Sequence, residues 1–301
     1  VTSLRLRLAT WGARHTVRRH LMLTHSPTEI AKGFERCAKW MFRTPPYLCH
    51  LTEKVAGLTF HWINVGPVQS CKIILYFHGG AYMSGSGETH TGMLARLSKL
   101  SGTRICAVDY RLLQEAPFPA AFEDALQAWF YLISLGYDPA DIVIGGDSAG
   151  GGLMLALLAH LSQIGVRPAA AFGISPWTDL TLSGASLTSP KEALLPASRL
   201  GEAVDLYLGA APRTDPRASP LFATFISPPP VLIQISAGEA LADDGRRMAA
   251  RLQDAGAAVT LQEWDTAMHV FHIFDGWVPE ARNALKDIST FVQTSFDIAK
   301  R

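Results

Sequence analysis

The stretch "VIGGDSAGGGLML", residues 143–155, sets Ser148 between Gly146 and Gly150 and joins two segments of different character. "DIVIGG" before the serine is a short apolar run of strand type. "AGGGLMLALLAHL" after it has the length and residue types of a buried helix. A sharp strand-to-helix turn strains the central residue, and only small residues two positions away on either side leave room for it. Alone, G-x-S-x-G arises by chance in roughly one chain in seven of this length, so a plain glycine-rich turn is the alternative that context must answer. Here the context places Ser148 at the C-terminal end of a strand and the start of a helix, where open α/β sheets bind ligands. Ser148 is therefore the candidate nucleophile.

Beyond this turn the alternation repeats. "KIILYF" and "RICAVDY" upstream, and "AAAFGISPW", "VLIQIS" and "AVTLQEW" downstream, read as short strands. "THTGMLARLSKLSG", "FEDALQAWFYLISLG", "GRRMAARLQDAG" and the closing "EARNALKDISTFVQTSF" carry helical periodicity. Strand–helix–strand units with continuous apolar strands predict a mostly parallel sheet covered on both faces. Two regions depart from this pattern. Residues 1 to about 45 are helical without strands, and residues about 178 to 218 are loop-rich with a helix near 198–208. Helical additions in two places predict a cap over a site, with surface decoration as the plain alternative.

A second element, "FHGGAY" at residues 77–82, follows another strand. Consecutive glycines leave backbone N–H groups unshielded, and a tetrahedral intermediate needs such donors aimed at its developing oxyanion. Gly80 and Ala81, with the N–H of Ala149 after the serine, are the candidate donors. A serine hydroxyl also needs a base, since it is a poor nucleophile until an imidazole takes its proton. Of ten histidines, His269 in "DTAMHVFHIF" follows the last strand and precedes the final helix, which predicts a loop at the same sheet edge as Ser148. His272 reads as part of a packed helix start, and His78 as a positioning residue within the glycine loop. His61, His90 and His160 read as ordinary surface or core histidines.

Composition narrows the function classes. With 301 residues, 48% hydrophobic and 18% charged, the chain can bury a large core, and its formal charge of +1 gives no reason to expect nucleic acid as a partner. A small-molecule substrate is the default. "VTSLRLRLATWGARHTVRRH" is basic, but arginines interrupt its apolar residues as no signal peptide would allow, so it reads as an amphipathic helix. No window suggests a membrane span. Four cysteines, Cys37, Cys49, Cys71 and Cys106, show no C-x-x-C spacing, which favours buried thiols in a reducing compartment and a cytoplasmic location. No H-E-x-x-H or clustered Cys/His spacing suggests a metal.

These motifs together resemble the hormone-sensitive-lipase family of α/β-hydrolases, the microbial family IV esterases. The resemblance runs from about Cys71 to Phe274 through "YFHGGAY", "DYRLLQEAPFPAAFEDAL", "GGDSAGGGL", "SPWTDLT", "DPRASPLFA", "SAGEALADDG" and "HVFH". It implies an eight-stranded α/β-hydrolase sheet, a cap at residues 1–45, a catalytic domain at 46–301 with a cap insertion at about 178–218, and no cofactor. It also implies hydrolysis of short- to medium-chain esters through an acyl-enzyme. By position it assigns Ser148 as nucleophile, His269 as base, and Gly79, Gly80, Ala81 and Ala149 to the oxyanion region. The usual H-G-G-G reads H-G-G-A here, tolerable where the backbone at Ala81 suits alanine. For the acid, many relatives carry aspartate about thirty residues before the histidine, and a subset carries glutamate. Glu239 stands at that separation and Asp243 four residues nearer, so Glu239 is favoured and Asp243 stays as the alternative. Lipase or amidase activity on the same residues, or a non-catalytic ligand receptor of this fold, are the competing readings. Dimers are common among such relatives, so a homodimer is compatible with the resemblance.

Overall fold

In β3 (Ile73–Phe77) all five residues, Ile-Ile-Leu-Tyr-Phe, are buried, as a strand covered on both faces requires. The computed structural model describes residues 2–265 and 267–299. Around β3 lies an eight-stranded sheet that also holds β1 (Leu48–Val55), β2 (Leu58–Val65), β4 (Arg104–Asp109), β5 (Ile142–Asp147), β6 (Ala170–Ile174), β7 (Val231–Ser236) and β8 (Val259–Trp264), in the order 1-2-4-3-5-6-7-8. Strands β3 to β8 run parallel, and β2 pairs antiparallel with both β1 and β4. This is the α/β-hydrolase sheet implied by the sequence motifs.

Helices cover both faces. α4 (Gly87–Ser101) and α9 (Pro279–Ala299) cover one, with Leu285, Ile288, Val292 and Phe296 of α9 recurring at helical spacing against the sheet. The other face carries α5 (Ala120–Ser134), α6 (Ser148–Gln163) and α8 (Ala242–Asp254). α6 is buried almost all round, and fully burying each of Leu153, Leu157 and Leu161 contributes about 1.5–3 kcal/mol.

The β1–β2 hairpin is not legible from apolar runs. β1 is an edge strand, exposed or half-buried along its whole length, so it carries no buried stripe. Its one local signal is Ala56-Gly57, both at positive φ, the two-residue turn that matches strand twist. A row of polar side chains crosses its face: His50 Nε2 lies 2.9 Å from His61 Nδ1, and His61 Nε2 lies 2.9 Å from Asp109. Glu88 approaches the same imidazoles. Both ring nitrogens of His61 are thus partnered, and the row ties the hairpin to β4.

The N-terminal segment folds as α1 (Leu4–Gly12), a π-helical turn at Ala13–Val17, α2 (Arg18–Leu23) and α3 (Pro27–Met41). Ser3 and Ser26 cap α1 and α3 by accepting from Leu6 N–H and Glu29 N–H. α1 is not amphipathic in the simple sense expected. It buries Leu6 and Ala9 yet leaves Leu4, Leu8 and Trp11 exposed. In the second loop-rich region, α7 (Ala197–Leu208) forms where a helix was expected, and its Tyr207 stacks on Tyr82 at 3.9 Å.

Candidate active site

Ser148 sits at the junction of β5 and α6 with φ +50°. A Cβ at Gly146 would overlap the carbonyl of Gly150, and one at Gly150 would overlap the carbonyls of Phe77 and His78. Both glycines are therefore set by sterics, and the left-handed serine is held by the close packing they permit. His269, buried at 3% exposure in the loop after β8, places Nε2 2.9 Å from Ser148 Oγ. Its Nδ1 lies 3.1 Å from Oε2 of Glu239, which stands in the turn after β7. Three parallel strands thus deliver three side chains to one sheet edge.

Glu239 is itself held. Its Oε2 accepts from Ser175 Oγ at 2.8 Å, and Ser175 Oγ accepts from Val270 N–H beside the histidine. Burial disfavours a charged His269, but the hydrogen bond and charge of Glu239, with the charges of Glu192 and Asp147, outweigh it, so the imidazole titrates above its ordinary value. Asp243 is not brought to the histidine. It lies in the first turn of α8, accepts from Ser186 N–H at 2.9 Å and pairs with Arg246 at 3.1 Å. Asp244 is buried and accepts from the N–H groups of Thr178 and Asp179, fixing the loop after β6.

The glycine loop divides its donors between two tasks. Gly79 N–H donates to Asp147 Oδ1 at 2.9 Å, so Gly79 lines the pocket with its donor already spent, a correction to its grouping with the oxyanion donors. Gly80 (φ +125°) and Ala81 (φ +55°) turn the chain, and no hydrogen bond from either N–H is found among the described residues. Ala149 follows the serine at the start of α6, buried beneath the same turn. Alanine at +55° is in the region that favours glycine, so H-G-G-A adopts the loop at a cost of about 1–2 kcal/mol.

Asp147 was not singled out from the sequence, although it precedes the nucleophile directly. It is buried, and beside Gly79 N–H it accepts from Tyr76 Oη at 2.8 Å and lies 3.4 Å from His90 Nε2. Burial alone would raise this carboxyl, but the charge and hydrogen bond of His90 hold it below the usual range. For His90 burial opposes protonation, yet Asp147 prevails and the imidazole titrates upward. His90 is thus a partnered core residue rather than an ordinary one, and no local pattern would have revealed it. His78 stacks on Tyr110 at 4.4 Å, with Nδ1 2.9 Å from Gly79 O, and burial with the nearby His90 pushes it down to about 4. His272 lies in the short 3-10 turn Phe271–Phe274, bonded through Nε2 to Gln234 at 2.7 Å, and is pushed to about 3 by burial.

Above Ser148 and His269 opens a pocket of about 550 Å³. Its floor is the glycine loop and its walls are mostly apolar. Leu8, Leu21, Phe34 and Met41 come from the N-terminal helices, Leu195 and Leu200 from the region around α7.

Known proteins resemble the chain in sequence and fold. Residues 74–273 match a family model described as an α/β-hydrolase fold. The chain is 38% identical over 244 residues to an acetyl-hydrolase of Streptomyces hygroscopicus, covering 80% of this chain and 81% of that one. It is 35% identical to an esterase of Acinetobacter venetianus over 94% of both. A crystal structure of an esterase from the bacterial hormone-sensitive lipase family superposes with a TM-score of 0.93 at 33% identity, covering 98% of this chain and 99% of that one. Fold, motif order and relatives agree that the chain belongs to the hormone-sensitive-lipase family of α/β-hydrolases.

Proposed function

We propose that the chain is a serine carboxylesterase acting on short- to medium-chain esters, with Ser148 as nucleophile, His269 as base and Glu239 as acid. The observation that carries this is the unbroken row from Ser148 Oγ to His269 Nε2 and from His269 Nδ1 to Glu239, both steps within 3.1 Å. Ser148 Oγ attacks the ester carbonyl carbon as His269 Nε2 accepts its proton. The carbonyl oxygen becomes an oxyanion, for which the N–H groups of Gly80, Ala81 and Ala149 are the proposed donors. One such donor is worth about 3–4 kcal/mol of transition-state stabilisation. His269 then donates its proton to the departing alkoxide, leaving an ester on Ser148. Water, deprotonated by the same imidazole, attacks that ester; the bond from the acyl carbon to Ser148 Oγ breaks, His269 returns the proton to Oγ, and the carboxylic acid leaves. Glu239 holds Nδ1–H throughout and stabilises the imidazolium without taking its proton.

Residues 1–45 and about 178–218 act in this reading as the cap over a catalytic domain spanning 46–301. The apolar walls they supply suit an acyl or alcohol chain, and the acetyl-hydrolase name of one relative supports the short end of the range. The four cysteines form no disulfide, which supports a cytoplasmic location, although only Cys106 is buried where burial was expected of all four; a homodimer is the assembly that kinship with such esterases suggests. Initial rates over p-nitrophenyl esters of increasing acyl length test the proposal. We expect turnover concentrated on short to medium chains and a drop of about 10⁴-fold or more in Ser148→Ala. Undiminished turnover in that variant overturns the assignment.

A further inference from the structure

α1 carries apolar residues on two opposite sides. Leu6 and Ala9, continued by Ala13, are buried against Phe271, Val278 and Ala281. Leu4, Leu8 and Trp11, at i, i+4 and i+7, fall within an arc of about 60° on the other side. They are 69%, 56% and 63% exposed. Helical spacing sets Arg7 along one flank of this ridge and Arg5 along the other. Apolar residues on the exposed side of an already packed helix are not needed for folding, so they call for an occupant.

Charge identifies that occupant. Residues 1–45 hold nine Lys and Arg against two Asp and Glu, a formal +7, which leaves 18 against 24, or −6, for the other residues. The overall +1 conceals this division. Arg5, Arg14 and Arg18 donate to the backbone carbonyls of Trp277, Lys191 and Glu192, contacts that fix their position without neutralising them. A second copy docked face to face would oppose +7 with +7. The ridge is the convex side of a helix rather than a groove shaped for a folded partner. An anionic bilayer asks only for an exposed apolar ridge bordered by cations.

We propose that the α1 face, Leu4, Leu8 and Trp11 with their flanking arginines, docks the protein peripherally on bilayers containing anionic phospholipid. No described helix is long and apolar enough to cross a membrane, so the contact lies in the interfacial plane. Leu8 also lines the pocket, which puts the docked face at the wall of the proposed active site.

Co-sedimentation of the full chain with vesicles of phosphatidylcholine, alone or mixed with phosphatidylglycerol, tests this. We expect binding to the mixed vesicles, little to the neutral ones, and release as ionic strength rises beyond about 0.15 M. The double variant Leu4→Ser/Trp11→Ser, at neither of whose positions the side chain lines the pocket, should lower partitioning about tenfold or more while hydrolysing a soluble ester as before. Arg5→Gln/Arg7→Gln should weaken binding to mixed vesicles only. Ser148→Ala should bind vesicles like the parent, so failure of the esterase reading and failure of this one are distinguishable. Absent vesicle binding, or binding indifferent to Leu4→Ser/Trp11→Ser, overturns the proposal. So does a concentration-dependent dimer that the same variant abolishes, which would assign the ridge to a second copy.

Discussion

Ser148, His269 and Asp147 at the floor of the pocket, and Glu239 behind His269, are each no more than 8% exposed, and hydrogen bonds link them to one another or to the glycine loop. Above it, the N-terminal helices leave Leu4, Trp11 and Trp40 between 63% and 89% open to solvent. The floor is fixed by backbone: strand ends, an elbow that admits only glycine at two positions, and buried polar pairs. The upper wall is fixed by apolar contact, which tolerates substitution as long as volume is kept. Under the proposed function the two regions separate chemistry from selection. Changes to the floor should abolish turnover for every ester, and changes to the wall should re-rank esters.

The largest contrast lies within the floor. Glu239→Gln should lower kcat by about 10³-fold or more, because it removes the charge that stabilises the imidazolium, whereas Asp243→Asn should stay within about threefold. The reverse result would move the acid to Asp243. The same variant sharpens the pH dependence. His269 must be neutral to accept the serine proton, and its pKa is raised, so kcat/KM should climb with pH through a value above the ordinary imidazole range. Glu239→Gln removes the largest upward influence and leaves burial opposed only by the more distant charges of Glu192 and Asp147, so residual activity should persist to lower pH. An acid limb unmoved in that variant would show that another group controls it.

On the wall the effects should be smaller and selective. Phe34, which lines the pocket and meets the rings of Phe42 and His90, is the test. Phe34→Ala should change kcat/KM for octanoate by about tenfold while leaving acetate within about twofold. Equal loss on both esters would mean that Phe34 supports the floor instead. The smallest effect concerns Ala81. Ala81→Gly relieves a left-handed alanine but adds freedom to the unfolded chain, so a net gain of about 0.5 kcal/mol in unfolding free energy is expected with activity retained. A loss of stability would show that the alanine methyl makes a packing contribution greater than its strain.

Legibility in the amino-acid sequence follows the same division. The elbow was legible because strand-to-helix geometry demands glycines at fixed offsets from Ser148, a constraint written locally. The strands that deliver it were legible because they are buried on both faces and read as unbroken apolar runs. Edge strand β1 was not, since solvent on both sides removes the pattern. Whether Glu239 or Asp243 meets His269 depends on the turn after β7, and the four positions separating them are decided by tertiary placement. Gly79 was grouped with the donors because motif position does not say which N–H a buried aspartate takes. His90 and Ser175 were missed for a related reason: each acts through a partner distant in sequence. The charge division between the first 45 residues and the rest stood in the sequence all along, hidden within a near-neutral total.

In the proposed cycle Ser148 is the one residue that becomes acylated. Reaction of the protein with diethyl p-nitrophenyl phosphate, followed by peptide mass mapping, tests it directly. The phosphoryl group transfers to the attacking oxygen with release of p-nitrophenolate. We expect stoichiometric release, complete loss of esterase activity, and a diethylphosphoryl adduct on the peptide bearing Ser148. An adduct on another residue with matching loss of activity, or full activity with Ser148 modified, would contradict it.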